Sequence, residues 1–300
     1  MNNKSKTIAV LMGGISSERE VSIASGKAIV NALSSLGYKV IEQDISSTDI
    51  NFNNLNIDLA FIALHGQYGE DGTIQAQLED MKIPFTGSCS FSSKNTFDKI
   101  KTRKILEKSN IPIAEGEVIY EMDKLSVDFP IVLKPPREGS SLGCNIVMNS
   151  QDYEDAFIDT YSYSNEILVE KYIHGRELTV GIVGDRILPV LEIFTSDGWY
   201  NFDSKYKDIK TDYEVPANLE KSIEIKIKSI ALDVYKSLGS RDFARIDFRM
   251  SSDNKPYVLE LNSIPGFTKN SLLPKAAAAI GINFIDLCQK IVELALARYE

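Results

Sequence analysis

The chain has 300 residues, 43% apolar and 25% charged, an ordinary balance for a globular protein and enough for about two or three domains. Its net charge of −9 excludes a general nucleic-acid-binding surface, so any phosphate site has to be local. No apolar run approaches the ~20 residues of a membrane-spanning helix, and Cys89, Cys144 and Cys288 form no Cys-x-x-Cys pair, which fits free thiols in a reducing cytoplasm.

Residues 7–12 predict a buried strand rather than a signal peptide, ending at Gly13-Gly14. Ser16 or Ser17 then caps a helix with Val21, Ala24, Ala28 and Ala32 at helical spacing, closed by Gly37. Strands follow at 38–44 and 59–64, the second ending at His65-Gly66, and a helix runs from Thr73 to Met81 before Pro84. Alternating strands and helices imply a parallel sheet, whose ligands bind beyond the carboxyl ends of the strands. The glycine-rich loops 13–18 and 65–72 should therefore converge. Ser92-Ser93-Lys94-Asn95 marks a boundary, followed by a basic helix to about Ser109.

The next segment reads as strands 115–121 and 130–134, a glycine loop 137–143, a strand 144–148, a helix 151–161 and a strand 167–172. A third segment contains a long helix, 219–237, and a hairpin. Residues 203–214, dense in Lys, Asp and Tyr, predict a mobile surface loop of the kind used as a lid. The expected fold class is α/β and α+β, with domains 1–93, 94–175 and 176–300.

The hairpin pairs Arg245-Ile246-Asp247-Phe248 with Val258-Leu259-Glu260-Leu261-Asn262. Period-two alternation puts Arg245 and Asp247 on one face, and Glu260 and Asn262 on one face. If Met250 pairs with Tyr257, Asp247 lies opposite Glu260 and Arg245 opposite Asn262. Opposed carboxylates repel. The face is either a solvated one with scattered charges or a site for a divalent cation, and its oxygen donors suit magnesium. Two histidines are too few for a histidine-cage metal centre.

Other motifs have two readings each. Lys134 before Glu138-Gly139-Ser140-Ser141-Leu142-Gly143 is either an ordinary turn or a phosphate cradle. Glu170-Lys171-Tyr172-Ile173 with Glu177 is either a surface strand end or an edge that receives adenosine. Glu18 either complements a helix dipole or grips a substrate ammonium. His65 is either a packed loop histidine or a donor to a carboxylate, and Gly266 either a turn or an oxyanion donor beside Arg245. No Walker A motif or dinucleotide fingerprint occurs.

Taken in order, Gly13-Gly14-x-Ser16-x-Glu18-Arg19-Glu20-Val21-Ser22, His65-Gly66-x-x-Gly69-Glu70-Asp71-Gly72, Lys134-Pro135 with Arg137-Glu138-Gly139-Ser140-Ser141, Lys205-Tyr206, Arg245-Ile246-Asp247 and Glu260-x-Asn262 with Pro265-Gly266 closely resemble the D-alanine–D-alanine ligases of the ATP-grasp superfamily. The resemblance spans essentially the whole chain and implies a three-domain ATP-grasp fold with an N-terminal parallel α/β domain. It implies that ATP phosphorylates the carboxylate of a first D-alanine and that the amine of a second D-alanine attacks the acyl phosphate, giving the dipeptide, ADP and phosphate for peptidoglycan synthesis.

By the same resemblance Lys99, Lys134, Ser140, Ser141 and Lys205 would serve ATP, with Glu170, Lys171, Ile173 and Glu177 lining the adenosine pocket. Asp247, Glu260 and Asn262 would hold two magnesium ions, for which manganese can substitute. Glu18 would bind the first ammonium, with His65 near its carboxylate. Arg245 and the Gly266 amide would stabilise the oxyanion, and Ser271 and the Leu272 amide would receive the second carboxylate. Tyr206 would join Ser140 and Glu18 in a latch. The family is commonly homodimeric and cytoplasmic, without nucleic-acid or membrane partners. It often has Thr where Ser263 stands, followed here by Ile264, and the hydroxyl is kept; Asn270 stands at a variable position beside Ser271. A D-alanine–D-lactate ligase is the nearest alternative; Tyr206, and the absence of histidine between Phe202 and Tyr213, favour D-alanine as second substrate.

Overall fold

A computed structural model describes residues 5–48, 56–122, 124–195 and 211–299. Strand β1 (Thr7–Gly13) runs parallel to β2 (Lys39–Ile45) on one side and β3 (Leu59–Ile62) on the other. Both β1 and β3 are buried at every position, which is why they read as continuous apolar runs. Helix α1 (Arg19–Ser35) follows β1 and ends at Gly37. There Tyr38 N donates to Leu33 O at 3.2 Å and Gly37 N to Ser34 O at 3.0 Å, a Schellman closure. The start of α1 differs from expectation. Its N-cap is Glu18, without a side-chain cap bond. Ser16 is spent elsewhere: its hydroxyl donates to His65 O at 2.7 Å and accepts from Glu18 N at 3.2 Å. The two glycine loops are thereby joined, as the parallel-sheet reading requires.

Helix α2 (Thr73–Asp80) leads to α3 (Ser90–Phe97) and α4 (Lys99–Lys108). Residues 92–95, expected at a boundary, form part of α3. Ser92 and Ser93 are buried, and Ser92 Oγ donates to Leu238 O at 2.8 Å. The basic helix is interrupted at Asp98, whose extended backbone and side chain cap α4 by accepting from Ile100 N and Lys101 N.

The central sheet is antiparallel, in the order β4 (Gly116–Ile119), β7 (Ile167–Lys171), β5 (Ile131–Lys134), β6 (Asn145–Val147). With α5 (Tyr153–Tyr163) it encloses its own core around Ile131, Leu133, Phe157 and Val169. A further sheet contains β8 (Gly175–Val183), β9 (Arg186–Ile187), β10 (Leu191–Phe194), β11 (Asp212–Glu214), β12 (Phe243–Ser251) and β13 (Pro256–Asn262), in the order β11-β10-β8-β12-β13 with β9 against β8. Strand β11 corrects the loop reading of 203–214 at its C-terminal end. Asp212 and Glu214 point outward, while Tyr213 turns in beside Leu191 and Leu272, with the Lys275 ammonium 5.0 Å from its ring centre.

Helix α6 (Lys221–Ser237) packs against β8 and β12 through Ile227, Ala231 and Val234. Helices α7 (Leu272–Ala278) and α8 (Phe284–Ala297) complete the chain. Leu287, Ile291 and Val292 of α8 share a core with Ile8, Val10, Ile29 and Leu33 near the N-terminus and with Phe243 and Phe267. This shared core fixes the glycine loops of the first sheet above the β12–β13 hairpin.

Candidate active site

Three loops meet around Glu18, which is 8% exposed. A Cβ at Gly66, where φ is +70°, would lie 2.8 Å from Glu18 Oε2, and one at Gly139 would lie 2.5 Å from the same oxygen. Glycine at both positions lets the backbones of the 65–72 and 137–143 loops close on the carboxylate. Ser140 Oγ donates to Glu18 Oε1, so the latch expected of Ser140 and Glu18 has these two members in contact. Lys205 and Tyr206, with most of the 203–214 stretch, lie outside the described residues.

The hairpin register brings Asp247 opposite Glu260 and Arg245 opposite Asn262, but by a different route from the one expected. Met250 pairs with Pro256 and Arg249 with Tyr257, one residue tighter; a bulge at Leu259, between Val258 and Glu260, then shifts the register by one. Asp247 is fully engaged. Arg245 donates to it through Nε at 2.8 Å and Nη2 at 2.7 Å, Thr179 Oγ1 at 2.7 Å and Asn262 Nδ2 at 3.0 Å. Glu260 lies 3.8 Å from Lys99 Nζ.

Among the described residues no three Asp, Glu, His or Cys side chains cluster to hold a metal ion. The donors that the hairpin face offers are the Asp247 and Glu260 carboxylates and the Asn262 amide. Two carboxylates and an amide oxygen fit magnesium. The amide nitrogen now faces Asp247, so the amide would turn to present its oxygen.

Glu18, Ser140, Arg245, Glu260, Gly266 and Ser271 all line one cleft of about 430 Å³, within the usual size of small-molecule sites. A second, narrower cleft of about 100 Å³ shares Lys99 and Glu260 with it and is lined by Lys134, Ser141, Glu170, Lys171, Ile173 and Glu177. Its charges are paired with one another. Lys134 donates to Glu170 at 2.5 Å, and Arg249 to Glu177 at 3.0 Å. Burial works against the Lys134 ammonium, but the Glu170 carboxylate outweighs it and holds the lysine pKa above its ordinary value. Lys99 Nζ donates to Glu138 O at 2.7 Å. The Lys171 ammonium is turned away, donating to the Asp128 and Phe129 carbonyls at 2.9 and 3.0 Å.

His65 is 3% exposed and both its ring nitrogens have partners. Nδ1 lies 3.0 Å from Ile264 O, so it carries the proton, and Nε2 accepts from Ser25 Oγ at 3.1 Å. Ser25 Oγ in turn accepts from Phe267 N at 3.1 Å. Ser25 and His65 thus hold both ends of the segment around Pro265 and Gly266. Gly266 also abuts Ser271: a Cβ there would lie 3.4 Å from Ser271 Oγ, which accepts from Thr268 N at 3.0 Å. Leu272, buried, begins α7 directly after it.

The first cleft is lined by the carboxylates Glu18, Glu70, Glu138 and Glu260 and by the cations Lys99 and Arg245. Burial raises the Glu70 carboxyl above its ordinary range, His65 opposes the rise, and Glu18 adds to it. Burial also raises Glu138, Lys99 opposing and Glu18 adding. Sequence reading does not single out Ser25, Thr179, Arg103 or Arg249. Only Arg249 carried a local signal, since it continues the period-two face of Arg245 and Asp247.

The chain was compared with known proteins. Residues 39–88 match the family model described as D-ala D-ala ligase N-terminus, and residues 101–293 the one described as D-ala D-ala ligase C-terminus. The chain is 41% identical to a D-alanine--D-alanine ligase of Desulforudis audaxviator, over 98% of this chain and 99% of that one. It is 39% identical to one of Methylacidiphilum infernorum, over 98% and 96%. Its fold superposes with a TM-score of 0.87 on the Bacillus anthracis D-alanine--D-alanine ligase complexed with ATP, at 33% identity and 98% coverage of both chains. A D-Ala:D-Ser ligase of Enterococcus faecalis superposes with a TM-score of 0.86 at 26% identity, over 97% of this chain and 99% of that chain. A fold shared by ligases with different second substrates does not itself choose the second substrate, but the matched segments and the near-complete coverage agree with the loops and hairpin in assigning the whole chain: it belongs to the D-alanine–D-alanine ligase family of the ATP-grasp fold.

Proposed function

We propose that the protein joins two molecules of D-alanine into D-alanyl-D-alanine, with ATP converted to ADP and phosphate through a D-alanyl phosphate, as a step of peptidoglycan precursor synthesis. The observation that carries this is the cleft lined by Glu18, Lys99 and Arg245, which shares Lys99 and Glu260 with the Lys134 cleft. An amino acid with its ammonium at Glu18 would turn its carboxylate toward Lys99 and Arg245, which line the same cleft. A nucleotide in the second cleft would bring its terminal phosphate to the junction.

Phosphoryl transfer depends on alignment and charge neutralisation more than on a strong base. Lys99 and Lys134 would exchange their protein acceptors for phosphate oxygens, with Ser140 and Ser141 adding donors. Glu170, Lys171, Ile173 and Glu177 would line the adenosine end. Asp247, Glu260 and Asn262 would hold magnesium, or manganese in its place, which would neutralise phosphate charge when bound. The first carboxylate oxygen takes the γ-phosphoryl group as the bond to ADP breaks. The second D-alanine, its carboxylate at Ser271 and the Leu272 amide, attacks the acyl carbon through its free amine, and phosphate leaves. Arg245 and the Gly266 amide would stabilise the oxyanion. His65, with both nitrogens engaged, serves first to hold the Gly266 segment and only indirectly the first carboxylate.

The domain division at 1–93, 94–175 and 176–300, a homodimer and a cytoplasmic location belong to the same reading. Light scattering on the purified protein should give about twice the chain mass of 33.4 kDa. No helix among the described residues is long and apolar enough to cross a membrane.

The deciding assay is phosphate release from ATP and magnesium with D-alanine, L-alanine, D-alanine plus D-lactate, and D-alanine plus D-serine. Release with D-alanine alone, matched by dipeptide, is the expected result. No release with D-alanine, or preferential formation of a mixed product, would overturn it.

A further inference from the structure

Behind the second cleft, Glu170 is held by two cations, only one of which lines the cleft. Glu170, on β7, accepts from Lys134 at 2.5 Å through Oε2 and from Arg103 at 3.1 Å through Oε1. All three side chains are nearly buried, at 9%, 13% and 12% exposure for Glu170, Lys134 and Arg103. The two cations differ in how they are tied. Lys134 stands on β5 beside the glycine loop. Arg103 stands on α4 and is anchored away from the cleft as well: Nη1 donates to Ala114 O at 2.7 Å and Nε pairs with Glu107 at 2.9 Å.

The backbone makes room for this arrangement. Gly116 on β4 lies opposite Glu170 in the sheet. A Cβ there would lie 2.5 Å from Val169 O, 3.0 Å from Arg103 Nη1 and 3.1 Å from Glu170 Cγ. The Arg103–Glu170 pair passes where any other residue's side chain would begin.

We propose that Arg103 is a positioning residue of the nucleotide site, which keeps hold of the Glu170 carboxylate when Lys134 swings from it to a phosphate of ATP. This rests on the reading of Lys134 as a phosphate-binding lysine. Removing one partner from a buried ion pair is costly because the other charge is left uncompensated. With two cations on Glu170, Lys134 can leave and the carboxylate stays paired. Without Arg103, three courses remain: Lys134 stays on Glu170, Glu170 is left bare, or Glu170 takes up a proton. Each weakens ATP binding. Other ionisable groups near the pair are Glu107 on α4, Cys144 next to β6 and Glu260 on β13, the last two acting on Lys134. The further cations that line the cleft are held elsewhere: Lys99 by Glu138 O and near Glu260, Lys171 by the Asp128 and Phe129 carbonyls, and Arg249 by Glu177.

The test is calorimetric titration of the protein with ATP and magnesium, alongside thermal unfolding. Arg103→Met should weaken ATP roughly 10-fold or more, the scale of a lost hydrogen bond to a charged group. Arg103→Gln, which keeps a donor for Ala114 O, is the second variant and is held to the same outcome. Arg103→Lys should bind almost normally. Arg103→Met combined with Glu170→Gln should bind no worse than Glu170→Gln alone, because no carboxylate is left to compensate. A purely structural role for Arg103 would add its loss in full to that of Glu170→Gln. That result, or wild-type affinity in Arg103→Met, or a lysine variant as weak as the methionine one, overturns the proposal. Lys134→Met is the control on its premise: unchanged ATP affinity there would overturn the reading of the phosphate lysine itself.

Discussion

Gly139→Ala tests how tightly the loops enclose Glu18. The new Cβ would lie 2.5 Å from Glu18 Oε2 and 3.3 Å from its carboxyl carbon. Van der Waals contact requires the carboxylate to retreat by about 1 Å. On its other side a Cβ at Gly66 would already lie 2.8 Å from the same oxygen, so the retreat cannot be toward that loop without further movement. Retreat also strains the Ser140–Glu18 bond. A misplacement of about 1 Å in a group that orients a substrate costs on the order of 10²-fold in rate. Overpacking itself should cost about 1–3 kcal/mol of stability or less, since the end of a side chain can yield more easily than backbone. The assay is D-alanine-dependent phosphate release, with ATP titration and thermal unfolding as companions. Expected are a kcat/KM for D-alanine down roughly 10²-fold, near-normal ATP affinity and a folded protein. A variant with wild-type D-alanine kinetics would show that Glu18 does not orient the first substrate.

Three further expectations follow from the same geometry. Glu260→Gln should fold normally yet lose roughly 10²–10³-fold in turnover, as on removal of an electrostatic stabiliser, and chelation should abolish wild-type turnover; near-normal rates at limiting magnesium would remove Glu260 from the metal set. Ser25→Ala strips Phe267 N and His65 Nε2 of a shared partner, so urea unfolding should show a loss of about 1–3 kcal/mol together with a lower kcat; a stable variant with full kcat would sink the clamp. Glu70 has a raised pKa in the folded protein, so the folded state binds more protons than the unfolded one just above the ordinary glutamate range. That contribution is present below the unfolded pKa and is lost as pH rises through the folded one. Denaturant unfolding between about pH 4 and pH 7 should therefore show a smaller fall of stability with rising pH in Glu70→Gln, and parallel curves for the two proteins would rule out this linkage.

Much of the fold was legible because its signals are local. The buried runs at 7–12 and 59–64, the glycine that closes α1 and the period-two hairpin each depend on a few neighbouring residues. Most elements of the central segment, with their short strands and glycine loop, were legible for the same reason. The start of α1 was not, because Ser16 binds His65 O, forty-nine positions away in sequence, instead of capping its own helix. Asp98 escaped notice because a cap in the middle of a basic stretch resembles an ordinary surface acid. Strands β8 to β10 and helices α7 and α8 were left unassigned, their apolar faces being explained only by the partners they cover.

The hairpin separates the two kinds of information. Alternation by itself put Asp247 and Glu260 on polar faces, because side chains in a strand alternate whatever the strand pairs with. Counting from a Met250–Tyr257 pair also gave their opposition, but the structure reaches it through a bulge at Leu259, which depends on how β13 fits beside β12 and which no count along the chain reveals. The same holds for the charges of the site. The sequence by itself determined that Glu18, His65 and Lys134 stand beside glycine loops after strands, and that Arg245 and Glu260 lie on the polar faces of a hairpin. Only the tertiary structure decided that His65 has no free nitrogen, that Lys134 and Arg103 share one carboxylate, and that Gly66 and Gly139 close on Glu18. A side chain's partners are set by distances through space between segments far apart in sequence, and those distances exist only once the first and last elements have packed into one core.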